Sequence, residues 1–213
     1  MELIIFDLDG TLVDSLNDLA ASANHALDKC GFPIHEAEKY RYFVGDGVPK
    51  LIERALPEGE RSDDIIFKVK SEFDAYYKEH YADFTLPYEG IPELVSKLKN
   101  DGYVLAVASN KPDEFTGIIV ERLFGNLFDY VVGKCPDTEK KPAPDIILKI
   151  MEKASCNADE AVMIGDSNVD ILTAKNAGIR SVGCLWGFRT AEELKAAGAD
   201  YLVSEPTEIL NCI

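Results

Sequence analysis

A short acidic loop follows the first apolar run of the chain, and its residues could hold a cation. Leu3, Ile4, Ile5 and Phe6 predict a buried parallel strand, because the run is too short and too branched for a helix. Asp7 and Asp9 come directly after it, where open α/β sheets bind their ligands. Gly10 allows a tight turn, which could aim both carboxylates at one centre. Two carboxylates so near each other repel unless one is protonated or a cation lies between them. The alternative to a cation site is an ordinary Asp-Gly turn.

A second acidic group follows a later apolar run, 161–164. Asp166 comes at the predicted end of that strand, as Asp7 does, and Asp170 lies one helical turn further on. Carboxylate oxygens without histidine or cysteine favour a hard cation, Mg²⁺ above all. The pattern therefore predicts a Mg²⁺ site that includes Asp7 and Asp166, with a helix cap at Asp166 as the plainer alternative.

Two polar segments behind other apolar runs could bind an anion. Ser109 and Asn110 come after the predicted strand 104–108 and offer a hydroxyl, an amide and backbone N–H groups, which suit phosphate oxygens. Lys141 precedes Pro142, which restricts it to an extended backbone and could fix its charge inward. The alternatives are a helix cap at Ser109 and a solvated lysine at 141.

Strand and helix patterns alternate over most of the chain and predict a doubly wound parallel sheet. The predicted strands are Leu3–Leu8, Val104–Ala108, Tyr130–Val132, Ala161–Ile164, Ser181–Leu185 and Tyr201–Val203. Residues 15–83 break this alternation, because they carry helical spacing and no convincing strand. We therefore predict an α/β core of residues 1–14 and 84–213, with residues 15–83 inserted as a small helical domain.

Composition and charge exclude several classes of protein. The chain has 213 residues and a net charge of −16, which repels nucleic acid and anionic membranes. No apolar stretch approaches the roughly 18 residues of a membrane span, and Met1-Glu2 leads straight into a strand, so we expect no signal peptide. The five scattered cysteines predict reduced thiols and a cytoplasmic location. The oligomeric state, monomer or homodimer, stays open.

Taken in order, these segments resemble the four motifs of the haloacid dehalogenase superfamily. The residues that carry the resemblance are Asp7-x-Asp9-Gly10-Thr11, Ser109, Lys141 and Gly165-Asp166-x-x-x-Asp170. The resemblance implies a Rossmann-like core with a helical cap, Asp7 as nucleophile and Asp9 as acid–base group. It also implies a Mg²⁺ ligand set of the Asp7 and Asp166 carboxylates and the Asp9 backbone carbonyl. Thr11 would hold the loop, and Asp170 would orient Lys141 or a metal-bound water.

Two details point to a branch of that superfamily. The acid at position 9 resembles the phosphatases and phosphomutases, since the dehalogenase branch lacks it. The segment around Gly45, Asp46 and Gly47 is similar to the cap segment of phosphoglycolate phosphatases. The resemblance thus implies a Mg²⁺-dependent phosphatase that hydrolyses a small anionic phosphate ester, such as phosphoglycolate, through an aspartyl-phosphate.

Three alternatives stay open at this point. A phosphomutase of the β-phosphoglucomutase kind shares all four motifs, and pyrophosphate or a nucleoside monophosphate would also fit the core chemistry. A phospho-accepting signalling domain uses a similar strand-end aspartate and lysine. It needs no Asp9, however, and it is smaller than a core with an insert of this size.

Overall fold

Residues 2–213 are described by a computed structural model, and the chain divides into two compact units. One unit comprises the chain up to Asp14 together with Pro87–Ile213, and the other comprises Ser15–Leu86. Two short strands, β2 (Val13–Asp14) and β3 (Leu86–Pro87), form a separate two-stranded sheet.

The first unit is built on a six-stranded sheet whose neighbouring strands all run parallel. In spatial order the strands are β5 (Tyr130–Lys134), β4 (Val104–Pro112), β1 (Leu3–Phe6), β6 (Ala161–Gly165), β7 (Arg180–Cys184) and β8 (Tyr201–Val203). All four residues of β1 are fully buried, as its apolar run predicts. The chain winds to one side of β1 and then to the other, so the prediction of a doubly wound α/β sheet is confirmed.

Helices alternate with these strands. They are α4 (Ile91–Asn100), α5 (Asp113–Phe124), α6 (Asp145–Ala154), α7 (Asn168–Ala177) and α8 (Ala191–Ala197), with 3₁₀ helices at Ala158–Glu160 and Pro206–Asn211. Ile146, Ile147 and Ile150 of α6 pack with Leu3 and Ile5 in one buried apolar cluster. The sheet core therefore holds the central strands rigidly, and with them the residues at their ends.

The second unit is helical. It contains α1 (Leu16–Lys29), α2 (Val48–Ala55) and α3 (Asp63–His80), with 3₁₀ helices at Ala37–Tyr42 and Glu58–Glu60. Tyr40, Ile52, Val69 and Phe73 are buried in it. Across residues 2–213, no helix combines the length and the apolar character needed to cross a bilayer.

Several strand ends differ from the sequence expectation, and those of β1 and β4 bear on the position of the acidic and polar residues. β1 stops at Phe6 because the backbone turns at Leu8, whose carbonyl accepts from the N–H groups of Leu12 and Val13. β4 runs on to Pro112, with a register shift against β5 after Ala108. Ser109 and Asn110 therefore lie within an irregular strand end rather than behind it, and a residue before proline, such as Lys111, favours that extended backbone.

Candidate active site

Three acidic side chains meet at the carboxyl ends of the central strands. Asp7 follows β1, while Asp166 and Asp170 follow β6, which is the neighbour of β1 in the sheet. All three are buried, and one carboxylate oxygen from each lies within 4.8 Å of the others. The N–H of Asp7 donates to the Ile164 carbonyl at 2.9 Å, which carries the strand pairing up to the cluster.

Lys141 supplies the positive charge of this cluster. Its ammonium lies 2.8 Å from Oδ1 of Asp7, 2.7 Å from Oδ1 of Asp170 and 2.8 Å from the carbonyl oxygen of Ala108. Burial lowers the pKa of this lysine, but the charges of Asp170 and Asp7 and its hydrogen bonds to them raise it by more. The ammonium is therefore a fixed positive charge, as its position before Pro142 suggested.

Asn110 positions Lys141 through both ends of its amide. Its Nδ2 donates to the Lys141 carbonyl at 3.1 Å, and its Oδ1 accepts from the Lys141 N–H at 2.8 Å. The structure shows this side chain clamping the backbone that carries the lysine, a pairing that spans 31 residues of sequence. The contact with phosphate that the sequence suggested for it stays a prediction.

Asp170 has two separate contacts. Its Oδ2 accepts from the backbone N–H of Ser167 at 3.1 Å and from the Ser167 hydroxyl at 2.7 Å, which completes a capping box at the start of α7. Its Oδ1 holds Lys141. One carboxylate thus fixes the helix and the lysine together.

Asp166 is held by Thr11, a predicted supporting residue, and by the backbone of Phe188, to which sequence reasoning gave no role in the site. The backbone N–H of Phe188 donates to its Oδ2 at 2.7 Å, and the Thr11 hydroxyl lies 3.4 Å from its Oδ1. The Trp186 indole N–H in turn donates to the Thr11 carbonyl at 3.0 Å. The loop 186–188, which follows β7, therefore contacts the site from the C-terminal part of the chain.

Three glycines let the backbone approach these carboxylates. A methyl group on Gly10 or Gly187 would collide with Asp166, and one on Gly165 would collide with Asp170. At Gly187 it would also strike the backbone carbonyl of Gly10, which cannot swing away as a side chain can. Gly10 also has φ +90°, which favours glycine.

A second lysine in the site was not predicted. Nζ of Lys111 lies 2.9 Å and 3.0 Å from the two carboxylate oxygens of Asp9, and its side chain is buried. The sequence did carry a signal, since Lys111 precedes Pro112 as Lys141 precedes Pro142. It also lies two residues after Ser109, on the same face of an extended strand. The Asp9 carboxylate is therefore paired with Lys111 and stands apart from the cluster of three acids.

The charges of the site fit a divalent cation. Four carboxylates face two ammonium groups, and burial followed by the charge of Asp170 raises the pKa of Asp7 to about 7. Burial and the charges of Asp170 and Asp7 also raise the pKa of Asp166 well above its usual range. These shifts indicate a shortage of positive charge, and an all-oxygen donor set matches a hard cation such as Mg²⁺.

The predicted specificity loop lies in the helical unit. Asp46 pairs with Arg54 at 2.5 Å, and Arg54 also donates to the Phe43 carbonyl at 3.0 Å. Gly45 and Gly47 have φ +109° and +82°, so the loop needs both glycines. The contacts within this unit fix the shape of the loop before α2.

Comparison with known proteins agrees with the arrangement of these motifs. Residues 4–184 match the family model described as haloacid dehalogenase-like hydrolase. A phosphoglycolate phosphatase of Vibrio parahaemolyticus is 36% identical over 100% of this chain and 96% of its own length. A similar phosphoglycolate phosphatase from Aquifex aeolicus is 32% identical over 99% of this chain and 95% of its own length.

Solved structures extend the similarity to three dimensions. The crystal structure of a predicted phosphoglycolate phosphatase from Haemophilus somnus has a TM-score of 0.90 at 30% identity, and the match covers 100% of this chain and 97% of that one. The full length of the present chain, including the helical residues, therefore has counterparts in a single relative.

Proposed function

Because the chain belongs to the haloacid dehalogenase-like hydrolases, which confirms the predicted resemblance and makes it an enzyme, we propose that it is a Mg²⁺-dependent phosphatase of small phosphate monoesters. The observation that carries the proposal is the position of Asp7, whose carboxylate contacts the Lys141 ammonium at 2.8 Å and lies within 4.8 Å of two further acids. A nucleophile, a fixed positive charge and cation ligands thus share one strand edge.

The residues proposed to hold the cation are Asp7 and Asp166, with the backbone carbonyl of Asp9. When bound, Mg²⁺ supplies positive charge that reduces repulsion between the carboxylates and an incoming phosphate. Thr11 and the Phe188 N–H keep Asp166 oriented toward that position, since both contact its carboxylate.

Asp7 is the proposed nucleophile. Its carboxylate oxygen attacks phosphorus, the bond to the alcohol oxygen breaks, and an aspartyl-phosphate forms. Lys141 holds Oδ1 of Asp7 in place and offers positive charge to the transferring oxygens. The Ser109 hydroxyl accepts from the Lys111 N–H at 3.2 Å, which leaves its own hydrogen to donate to the phosphate.

Asp9 is the proposed acid–base group. It gives a proton to the departing alcohol and then takes one from the water that hydrolyses the aspartyl-phosphate. Such help is worth roughly 10²- to 10⁴-fold in rate. Asn110 and Asp170 act through Lys141, which both of them hold.

Phosphoglycolate is the substrate that the relatives' names support, and it is a small anionic ester as the sequence suggested. The Ser15–Leu86 unit is the proposed cap, with the loop at Gly45–Gly47 contributing to substrate choice. The five cysteines of the chain are free thiols, which supports a reducing, cytoplasmic setting as part of the proposal.

The test is hydrolysis of 2-phosphoglycolate by the purified protein, with phosphate release as the readout. We expect activity with Mg²⁺, none in EDTA, and recovery when Mg²⁺ is restored. Asp7→Asn should be inactive, whereas Asp28→Asn, an exposed aspartate of α1, should match the wild type. Full activity in the presence of chelator would refute the proposed dependence on Mg²⁺. Conversion of β-glucose 1-phosphate into glucose 6-phosphate would favour a phosphomutase over a phosphatase.

A further inference from the structure

Lys111 places a buried positive charge beside Asp9, the proposed acid–base group, and Asp9 occupies that charge in an ion pair. Lys111 is the more buried partner, with its side chain 3% exposed against 19% for Asp9. The lysine is therefore fixed in the interior, and the carboxylate is the partner with room to move. A second anion that reached this ammonium would replace Asp9 rather than displace the lysine.

We infer that Lys111 binds a carboxylate on the leaving group of the substrate, and that this carboxylate takes the place of Asp9 on the ammonium. The inference rests on the proposed function and narrows its substrate class to phosphate esters of 2-hydroxy acids. Asp9, once released, is free to turn toward the ester oxygen.

The positions of the other groups support this assignment. Lys141 is already held by Asp7, Asp170 and the Ala108 carbonyl, so it serves the phosphate end of the site. Ser109 and Lys111 lie beside each other at the irregular end of β4, where the Ser109 hydroxyl accepts from the Lys111 N–H at 3.2 Å. A phosphate bound at Ser109 would therefore hold its alcohol in the neighbourhood of Lys111.

The reach of a short 2-hydroxy acid matches this spacing. An ester oxygen that receives a proton from Asp9 lies within about 3 Å of that carboxylate. The Lys111 ammonium lies 2.9 Å from the same carboxylate. In a 2-hydroxy acid, the carboxylate carbon is separated from the ester oxygen by one carbon, so its oxygens can contact the ammonium while the phosphate stays at Asp7.

The charges of the protein favour replacement of Asp9 on Lys111 over the addition of a second carboxylate beside the existing pair. Phosphoglycolate brings a carboxylate as well as its phosphate into a protein of net charge −16. In the exchange Lys111 keeps one carboxylate partner throughout, while Asp9 leaves the ammonium for the ester oxygen.

The test compares 2-phosphoglycolate with ethyl phosphate, in which a methyl group replaces the carboxylate. In the wild type we expect kcat/KM to favour 2-phosphoglycolate. In Lys111→Met that preference should fall by about 10- to 100-fold, the usual effect of a hydrogen bond to a charged group. Lys111→Arg should keep part of it. Lys97→Met, which breaks an exposed pair with Asp101, is the control for net charge.

A lysine that only positions Asp9 would give another result, because both substrates would then lose the same factor in Lys111→Met. That equal loss would overturn the inference and leave the phosphatase itself intact. Failure of the wild type to hydrolyse either ester would instead count against the proposed function.

Inhibition of the wild type gives a check that needs no variant to fold. With ethyl phosphate as substrate, glycolate should compete for the site and ethylene glycol should not. Equal inhibition by the two, or none by either, would contradict carboxylate binding at Lys111.

Discussion

Each of the two aspartates behind β1 has its own lysine, and the two pairs differ in their surroundings. Asp7 shares Lys141 with Asp170 inside the cluster of three acids and is 12% exposed, whereas Asp9 pairs with Lys111 outside that cluster and is 19% exposed. A carboxylate held within a cluster suits a fixed nucleophile, and the more exposed carboxylate suits a group that must move protons. The difference in environment supports different roles for two carboxylates that are two residues apart.

The raised pKa of Asp7 predicts how stability depends on pH when no cation is bound. Burial, followed by the charge of Asp170, raises this pKa from 3.8 to about 7, so the folded state keeps a proton that the unfolded state releases. That stabilisation is complete below pH 3.8 and is lost as pH rises through 7, at about 1.4 kcal/mol per pKa unit.

Urea unfolding in EDTA at several pH values measures this effect. Relative to Asp7→Asn, which has no such proton, the free energy of unfolding of the wild type should fall between pH 4 and pH 7. Identical pH slopes for the two proteins would show that Asp7 titrates normally in the folded state.

A second prediction at the scale of the residue concerns Gly187. In Gly187→Ala the new methyl group would strike the Gly10 carbonyl and Asp166, and both must shift. Because Asp166 is a proposed ligand, we expect Mg²⁺ affinity to fall about 10-fold or more, as measured by calorimetric titration without substrate.

Gly117→Ala is the matched control for Gly187→Ala. Gly117 lies inside α5, and a methyl group there meets nothing within 4 Å. This variant should bind Mg²⁺ as the wild type does, with a small gain in stability from the better helix former. Wild-type affinity in a folded Gly187→Ala protein would exclude loop 186–188 from orienting Asp166.

At the scale of elements, Asp18 fixes the start of α1. Its buried carboxylate accepts from the N–H of Phe84 at 3.0 Å, and from the N–H and hydroxyl of Thr85 at 2.8 Å and 2.6 Å. All of these residues belong to the Ser15–Leu86 unit. The contacts join the first turn of its first helix to the segment with which the unit ends.

Asp18→Ala should therefore destabilise the helical unit. Loss of a charged acceptor leaves buried donors without a partner and costs about 2–3 kcal/mol. Asp28→Ala, at an exposed position of the same helix, should change stability by less than about 0.5 kcal/mol. Urea unfolding followed by far-UV circular dichroism measures both; equal stabilities would show that the Asp18 contacts do not hold the unit together.

The strands and helices themselves could be predicted because their signals are local. The apolar runs mark all six strands of the sheet, and spacing finds the two long α-helices and the shorter one of residues 15–83. The end of β4 could not be placed, because its register shift depends on pairing with β5. Whether a polar residue ends a strand or continues it is decided by the neighbouring strand.

At the scale of the whole molecule, the parallel sheet explains which site residues could be anticipated. Side chains at the ends of adjacent strands must meet, so Asp7 and Asp166 could be paired from their patterns alone. Lys111 and Asp9 are 102 residues apart, and Thr11 and Asp166 are 155 apart. Contacts of that kind, like the approach of Phe188 to Asp166, join segments far apart in the sequence, and local patterns do not say which partners meet.

Asp7 is the proposed acceptor of the phosphoryl group, and the roles of the other site residues depend on that assignment. The direct measurement is acid quenching during turnover of 2-phosphoglycolate with Mg²⁺, followed by mass spectrometry of the peptide that contains Asp7. We expect one phosphoryl group on Asp7, more of it in Asp9→Ala because hydrolysis of the intermediate slows, and none in Asp7→Asn. Substrate turnover by Asp7→Asn at a near-normal rate would contradict the account.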